Sequence, residues 1–228
     1  MRLLLVGELW AELLTDEIPA AIHTLDSLLQ SPNNQNSVEA TAMLASLRAH
    51  PRPGVSPSEF TKEKERAREL FERVIKELHL PEDNTRSSTS TNGVDHSRPN
   101  KSARNLAEDV SMHVEIAKLW QDDSLDIVKR AVQEALRINE VAHKVEPKLM
   151  NNLGVLDHLE GNLQQAQAAY ERALTNNSAA ALPDSDAVST TILYNLARVY
   201  ESQGELDRAR EAYEKLLAHH PEYVDGKL

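Results

Sequence analysis

The chain has 228 residues, of which 40% are hydrophobic, enough to bury a core in one or two domains. It has no cysteine and a formal net charge of -11. These features exclude a disulfide framework and a thiolate metal site, and they disfavour nonspecific binding to nucleic acid or anionic lipid. Seven glycines and 4% aromatic residues leave little room for β-sheets, so we expect an all-α protein.

The first 81 residues predict two helix hairpins. Residues 1–10 contain only a short apolar run, too short for a signal sequence or a membrane span, and we interpret them as helix. Apolar residues three and four apart mark the second helix of the first hairpin: Ala21, Leu25, Leu28 and Leu29, followed by Pro32. The second hairpin has a similar series: Leu44, Ala45, Ala67, Phe71, Val74 and Ile75, followed by Pro81.

An inserted loop is predicted inside the second hairpin, at residues 50–59, which read HPRPGVSPSE. Pro51, Pro53 and Pro57 disfavour helix there, because proline lacks a backbone N–H and clashes with the preceding turn.

A polar segment follows at residues 82–102, where Val94 is the sole aliphatic residue. We predict a disordered linker, because so few apolar groups cannot offset the entropy of ordering. The alternative is a phosphorylation or docking segment, since residues 87–91 are all Ser or Thr.

A third hairpin is predicted after the linker. The apolar face of its first helix includes Trp120, which we interpret as a core residue. Asp122, Asp123 and Ser124 are expected to form the turn and to cap the second helix. The apolar positions on the two helices are Ile116, Ala117, Trp120, Val128, Val132, Ala135 and Leu136.

Two matching stretches, residues 150–174 and 193–217, carry the strongest pattern. Gly161 and Gly204 stand where a first helix ends and left-handed backbone is needed. The paired small and aromatic positions of the second helices are Ala166 with Tyr170 and Ala209 with Tyr213. We expect the small residue to permit close helix packing and the tyrosine to fill the space beside it.

This pattern resembles the tetratricopeptide repeat, a helix hairpin of about 34 residues with small, aromatic and proline positions at fixed offsets. Pro221 fits that pattern. Leu153 and Leu196 are 43 positions apart, so a lengthened connection is expected at residues 176–188. The predicted fold is therefore an all-α tetratricopeptide-repeat solenoid of about five hairpins, with two in residues 1–81, a linker at 82–102 and three in 103–228.

Motifs for catalysis are missing from the sequence. It has no Gly-rich phosphate loop, nucleophile elbow or H-E-x-x-H zinc helix, so we expect a non-enzymatic protein without a cofactor or metal. His219 and His220 are adjacent and would point about 100° apart on a helix, so we interpret them as helix-terminal residues rather than metal ligands.

A partner-binding groove is predicted on the first helices of the two strong repeats. Its candidate residues are Asn151, Asn152, Tyr194, Asn195 and Arg198. Their side chains can hydrogen-bond the backbone or a carboxylate of a partner segment. The alternative is that the asparagines serve only helix packing and hydration.

A closer resemblance covers residues 145–228, which contain MNNLGVLDHLEGN, a long connection, TTILYNLARVYESQGE and HPEYVDG. They are similar to the large tetratricopeptide subunits (Ctr) of the RNA polymerase II-associated factor complex, the Paf complex. That family has an NN-[IVL]-G motif, a long insertion, a T-x-Y-N-L-A-R-[VL]-Y-E motif and H-P-x-Y-x-D. The resemblance implies a nuclear scaffold that binds other Paf subunits, and through them RNA polymerase II, in transcription elongation and histone modification.

A generic tetratricopeptide adaptor, for chaperone, trafficking or cell-cycle machinery, is the alternative. In tetratricopeptide proteins that clamp a chaperone's carboxylate, lysines and arginines join the groove asparagines. Here Asn151 and Tyr194 precede Asn152 and Asn195, so the clamp is incomplete. We expect protein partners, with no direct contact to nucleic acid or membrane.

Overall fold

The structure is a computed structural model that describes residues 17–78, 106–144, 146–180 and 185–221. These residues contain nine α-helices and no strand, which confirms the all-α prediction. The helices are α1 (Ile18–Gln30), α2 (Val38–Ala49), α3 (Pro57–Leu78), α4 (Val110–Trp120), α5 (Leu125–Val141), α6 (Pro147–Leu159), α7 (Leu163–Ala180), α8 (Ser185–Gln203) and α9 (Leu206–His219).

The chain divides into two compact units, Met1–Glu115 and Ile116–Leu228. The predicted helix at residues 1–10 and the linker at 82–102 lie outside the described residues, so both stay predictions.

The first unit is built on α2, which packs against both α1 and α3. Its core contains Leu25 and Leu44, and Ala67, Phe71 and Val74 on α3 are buried, as their spacing predicted. Arg48 is 8% exposed and binds Asp26 of α1 and Glu63 of α3, so one guanidinium links all three helices.

The predicted loop at 50–59 is shorter than expected, because α3 already begins at Pro57. Ser56 and Glu59 form a capping box: the Ser56 N–H donates to the Glu59 carboxylate at 3.1 Å, and the Glu59 N–H donates to Ser56 Oγ at 3.3 Å. Proline is well suited to the first helical position, where its N–H would have no partner. The prediction that Pro57 excludes helix was therefore wrong.

The predicted third hairpin falls on α4, which crosses the boundary between the two units, and on α5. Trp120 is 5% exposed, which confirms it as a core residue. Residues 121–124 form the turn, and Ser124 occupies the N-cap of α5. Ser124 therefore has the predicted N-cap position, but its hydroxyl makes no capping hydrogen bond.

The strong pair of repeats forms two packed hairpins, α6 with α7 and α8 with α9. Gly161 and Gly204 have φ of 79° and 78°, as predicted. At each, the glycine N–H binds the carbonyl three residues back, and the next N–H binds the carbonyl five back, at 2.8–3.0 Å. These two hydrogen bonds form the Schellman motif, which satisfies backbone carbonyls at the end of the first helix.

Close packing within each hairpin occurs at the predicted small residues. Ala166 and Tyr170 are 0% and 1% exposed, and Ala209 and Tyr213 are 2% and 4% exposed. A Cβ added to Gly154 would lie only 2.7 Å from the Tyr170 ring. The hairpin α6–α7 therefore depends on the absence of a side chain at residue 154.

The long connection predicted at residues 176–188 is mostly helix, because α7 continues to Ala180 and α8 begins at Ser185. Asn177 is 1% exposed, and its Nδ2 donates to the Ser185 carbonyl at 2.6 Å and to Ser189 Oγ at 2.8 Å. These bonds fasten the end of α7 to the start of α8. The extra residues thus lengthen two helices rather than a loop.

Polar contacts join successive hairpins of this unit. Lys129 Nζ on α5 donates to Asp157 at 2.7 Å and to Glu160 at 2.6 Å. Asp157 is 6% exposed, and its hydrogen bond raises the pKa of Lys129. Tyr200, at the matching position of the next repeat, donates from its hydroxyl to Glu171 of α7 at 3.1 Å, and burial raises the pKa of Tyr200 to about 12.

We predict that Ala166→Arg or Ala209→Arg lowers the free energy of unfolding by about 3–5 kcal/mol, because a long cation would be forced between packed helices. Thermal unfolding followed by circular dichroism measures the change. Ala168→Arg is the matched control, since Ala168 is an exposed residue of the same helix. An unchanged melting temperature for the buried variants would show that the predicted repeat register is incorrect.

We expect His143→Gly to stabilise the second unit. His143 has φ of 52° in a Schellman-type turn after α5, where its N–H binds Glu140 and the Lys144 N–H binds Asn139. Glycine adopts this conformation without strain, so the gain should be about 0.5–1 kcal/mol in chemical denaturation. Gly161→Ala should produce a loss of similar size. A destabilised His143→Gly variant would contradict this account.

We predict that Lys129→Met lowers the free energy of unfolding by about 2 kcal/mol, since it leaves the buried Asp157 without its cation. Urea denaturation gives the value. Arg130→Met is the control, because Arg130 pairs with Asp126 on the surface, where a pair contributes about 0.5 kcal/mol or less. Equal effects of the two substitutions would mean that the Lys129 contact has no special importance.

Candidate protein-binding groove

A side-chain hydrogen bond joins the first helices of the two strong repeats. Asn195 Nδ2 on α8 donates to Asn151 Oδ1 on α6 at 2.9 Å. Asn151 is 8% exposed, and Asn195 is half-buried. Two of the predicted groove residues are therefore in direct contact. Asn151 and Asn195 contribute to helix packing, which is the alternative role considered for the asparagines.

The other predicted groove residues have different environments. Asn152 occupies the same repeat position as Asn195, but it is exposed and does not share that bond. Tyr194 is half-buried, and its ring packs against Tyr213 with centroids 6.1 Å apart. Arg198 is exposed and pairs with Glu201 of its own helix at 3.1 Å. Their role in binding a partner stays a prediction.

A second bond between α6 and α8 was not predicted. His158 Nε2 and Ser202 Oγ are 3.0 Å apart, and the Ser202 hydroxyl also donates to the Arg198 carbonyl at 2.9 Å. Burial, together with the charge of Arg198, lowers the pKa of His158. The lowered pKa favours the neutral imidazole.

The spacing of these residues along their helices could have predicted this contact. His158 follows Asn151 by seven positions, and Ser202 follows Asn195 by seven. Seven residues make about two helical turns, so each pair lies on one face of its helix. We call the two bonds Asn151–Asn195 and His158–Ser202 the inter-repeat ladder.

The surface around the ladder offers both donors and acceptors. Arg198 provides a planar cation, and the Asn152 amide is exposed. Such groups suit hydrogen bonding to a peptide backbone or a carboxylate.

Two kinds of feature are not found in the described parts of the chain. These ranges contain no cluster of three His, Cys, Asp or Glu side chains able to hold a metal ion. Within the same ranges, no helix combines the length and the hydropathy needed to cross a bilayer.

Comparison with known families identifies the repeats. The tetratricopeptide repeat family matches residues 145–222. A curated relative, "Tetratricopeptide repeat protein 1" of Schizosaccharomyces pombe, is 31% identical over 122 residues. That alignment covers 53% of this chain but only 11% of the relative, so the chain spans about a tenth of the relative's length.

Solved structures show the same fold at low sequence identity. YrrB, described as a TPR protein with an unusual peptide-binding site, has a TM-score of 0.63 at 12% identity, covering 97% of this chain and 88% of its own. MamA has a TM-score of 0.54 at 14% identity, with coverage of 99% and 94%. BtubC from P. vanneervenii has a TM-score of 0.53 at 17% identity, with coverage of 98% and 76%.

The helix hairpins, the glycine turns and the family match lead to one assignment. Residues 145–222 match the tetratricopeptide repeat family, and the chain has the all-α fold of a tetratricopeptide-repeat solenoid.

Proposed function

We propose that the chain is a non-enzymatic scaffold that binds protein subunits of the Paf complex in the nucleus. A tetratricopeptide-repeat protein is typically an adaptor for other proteins, and stacked hairpins present extended binding surfaces. In this role the chain supports transcription elongation by RNA polymerase II and the associated histone modification, and it contacts the polymerase through its partner subunits.

The observation that carries the specific assignment is the resemblance of residues 145–228 to the Ctr family. The segments MNNLGV and YNLARVYE that carry it also supply the groove residues, from Asn151 to Arg198. These segments contain Asn151 and Asn195, which form one of the two bonds of the inter-repeat ladder.

A generic adaptor for another protein assembly is the second candidate. It is favoured by the residues beside the ladder, because the exposed Asn152 amide and the Arg198 guanidinium can bind many peptide segments and carry no selectivity for one complex.

Co-expression tests the assignment. We expect the chain to co-elute in gel filtration, at fixed stoichiometry, with the subunit that gives the Paf complex its name. Arg198→Glu should weaken that complex about tenfold, because it reverses the exposed charge beside the ladder. Arg210→Glu is the control, since Arg210 is comparably exposed on α9 and is not a groove residue.

Separate elution of the two folded proteins would contradict the Paf assignment and favour the generic adaptor. Equal weakening by both charge reversals would show that the effect comes from net charge rather than from the groove.

A further inference from the structure

Side-chain hydrogen bonds fasten α7 to α8 at intervals along both helices. The bonded pairs, in order along α7, are Gln167 with Gln203, Glu171 with Tyr200 and Asn177 with Ser189, at 3.2, 3.1 and 2.8 Å. On α7 they extend from residue 167 to residue 177, which is about 15 Å of helix. The inter-repeat ladder adds two bonds between α6 and α8. The α6–α7 and α8–α9 hairpins are therefore joined at several separate points.

Lys129 is the polar centre of the junction between α5 and α6. Its Nζ donates to Asp157 of α6 at 2.7 Å and to Glu160, the C-cap residue of α6, at 2.6 Å. The Lys129 side chain is 19% exposed, so both ion pairs are partly shielded from water. We call these three residues the α5 latch. Because one amine makes both bonds, the loss of that amine removes both at once.

A cavity of about 200 Å³ lies along the same junction. Its apolar lining comes from α5, α6 and α7, through Leu136, Met150, Leu153 and Ala169. Side chains beside such a void lose the contacts that close packing would give them. The apolar packing of α5 on the α6–α7 hairpin is therefore weakened at this place.

The turn after α5 is strained as well. His143 has φ of 52°, a left-handed conformation that residues with a Cβ adopt only at an energetic cost. Separation of α5 from α6 would free this turn to relax. The α5 latch, the cavity and the strained turn all lie between the same two helices.

We propose that the α5–α6 junction is the weakest point between α5 and α9, so that α5 opens from α6 while α6–α9 stays folded as one body. Openings that require less free energy than global unfolding are a general property of proteins. Once separated, α5 loses its helical hydrogen bonds, because an isolated helix of 17 residues is marginal in water.

The consequence for binding is that the groove keeps its shape during this opening. All of its candidate residues lie on α6 and α8, which stay together, whereas the surface contributed by α5 is lost from the stack. The inference does not depend on the identity of the partner.

The test is native-state hydrogen exchange of the full chain, followed by mass spectrometry. Backbone amides of α5 should exchange at least about tenfold faster than those of α7 and α8, because they need only the junction to open. Lys129→Met should speed exchange in α5 about 30-fold, since it removes the α5 latch and leaves the buried Asp157 without a cation. Arg130→Met, which removes a surface pair of the same helix, should leave this rate nearly unchanged.

Tyr200→Phe distinguishes a local opening from a general loss of stability. It removes the bond to Glu171 and should speed exchange in α8 and α9 about fivefold, while exchange in α5 stays as in the wild type. Glu160→Gln is a milder change to the α5 latch that keeps Asp157 paired, and it should speed exchange in α5 about threefold. It supplies the measurement if circular dichroism shows that Lys129→Met is not folded.

Two results would overturn the inference. One is a common exchange rate for α5–α9 with equal responses of α5 to Lys129→Met and Tyr200→Phe, which would mean that these helices unfold together. The other is stronger protection of α5 than of α8. Both are measured on the chain by itself, so they are independent of whether it co-elutes with a Paf subunit.

Discussion

The close approach of two helices within each hairpin is the constraint on which the rest of the second unit depends. Such packing is possible only where one helix has almost no side chain, and Gly154 facing the Tyr170 ring is the tightest instance. Ala197 and Ala209, which are 0% and 2% exposed, serve the same purpose in the next repeat. This contact fixes how α6 and α8 are rotated, and hence which of their residues form the groove.

Neighbouring hairpins are also joined by polar contacts. Lys129 with Asp157, Asn195 with Asn151 and Tyr200 with Glu171 are all polar, and each joins one repeat to the one before it. A net hydrogen bond contributes only about 1 kcal/mol, but an unpaired buried group is costly. These bonds therefore select one arrangement of neighbouring repeats more than they add to total stability.

Local patterns in the sequence were sufficient to predict the helices, the core positions and the glycine turns. A helical period of 3.6 residues and the need for positive φ at Gly161 and Gly204 are both properties of short segments. The prolines predict a later beginning for α3 than the structure has, because the Ser56–Glu59 capping box starts the helix at Pro57; both signals are visible locally.

Contacts between distant segments could not be predicted in the same way. The bonds from Asn177 to Ser185 and Ser189 depend on how two helices meet, so the sequence predicts only a long connection at residues 176–188. In the groove, Asn152 and Asn195 occupy the same position of their repeats, but Asn195 forms its hydrogen bond with Asn151. The reason is that neighbouring helices are offset along their axes, so equivalent repeat positions do not have to be in contact. The pairing of Asp157 with Lys129 is a further contact of this kind, because it joins helices of two different hairpins.

The pairing of Asp157 with Lys129 also gives the array a fixed order. Consensus repeats can be exchanged or duplicated because every unit presents the same faces to its neighbours. The α6–α7 hairpin is not interchangeable in this sense, because its buried carboxylate needs an amine supplied by the hairpin that precedes it. Duplicating, deleting or transposing this unit would leave an unneutralised charge at the new junction. The sequence therefore determines the order of the repeats as well as the fold of each one.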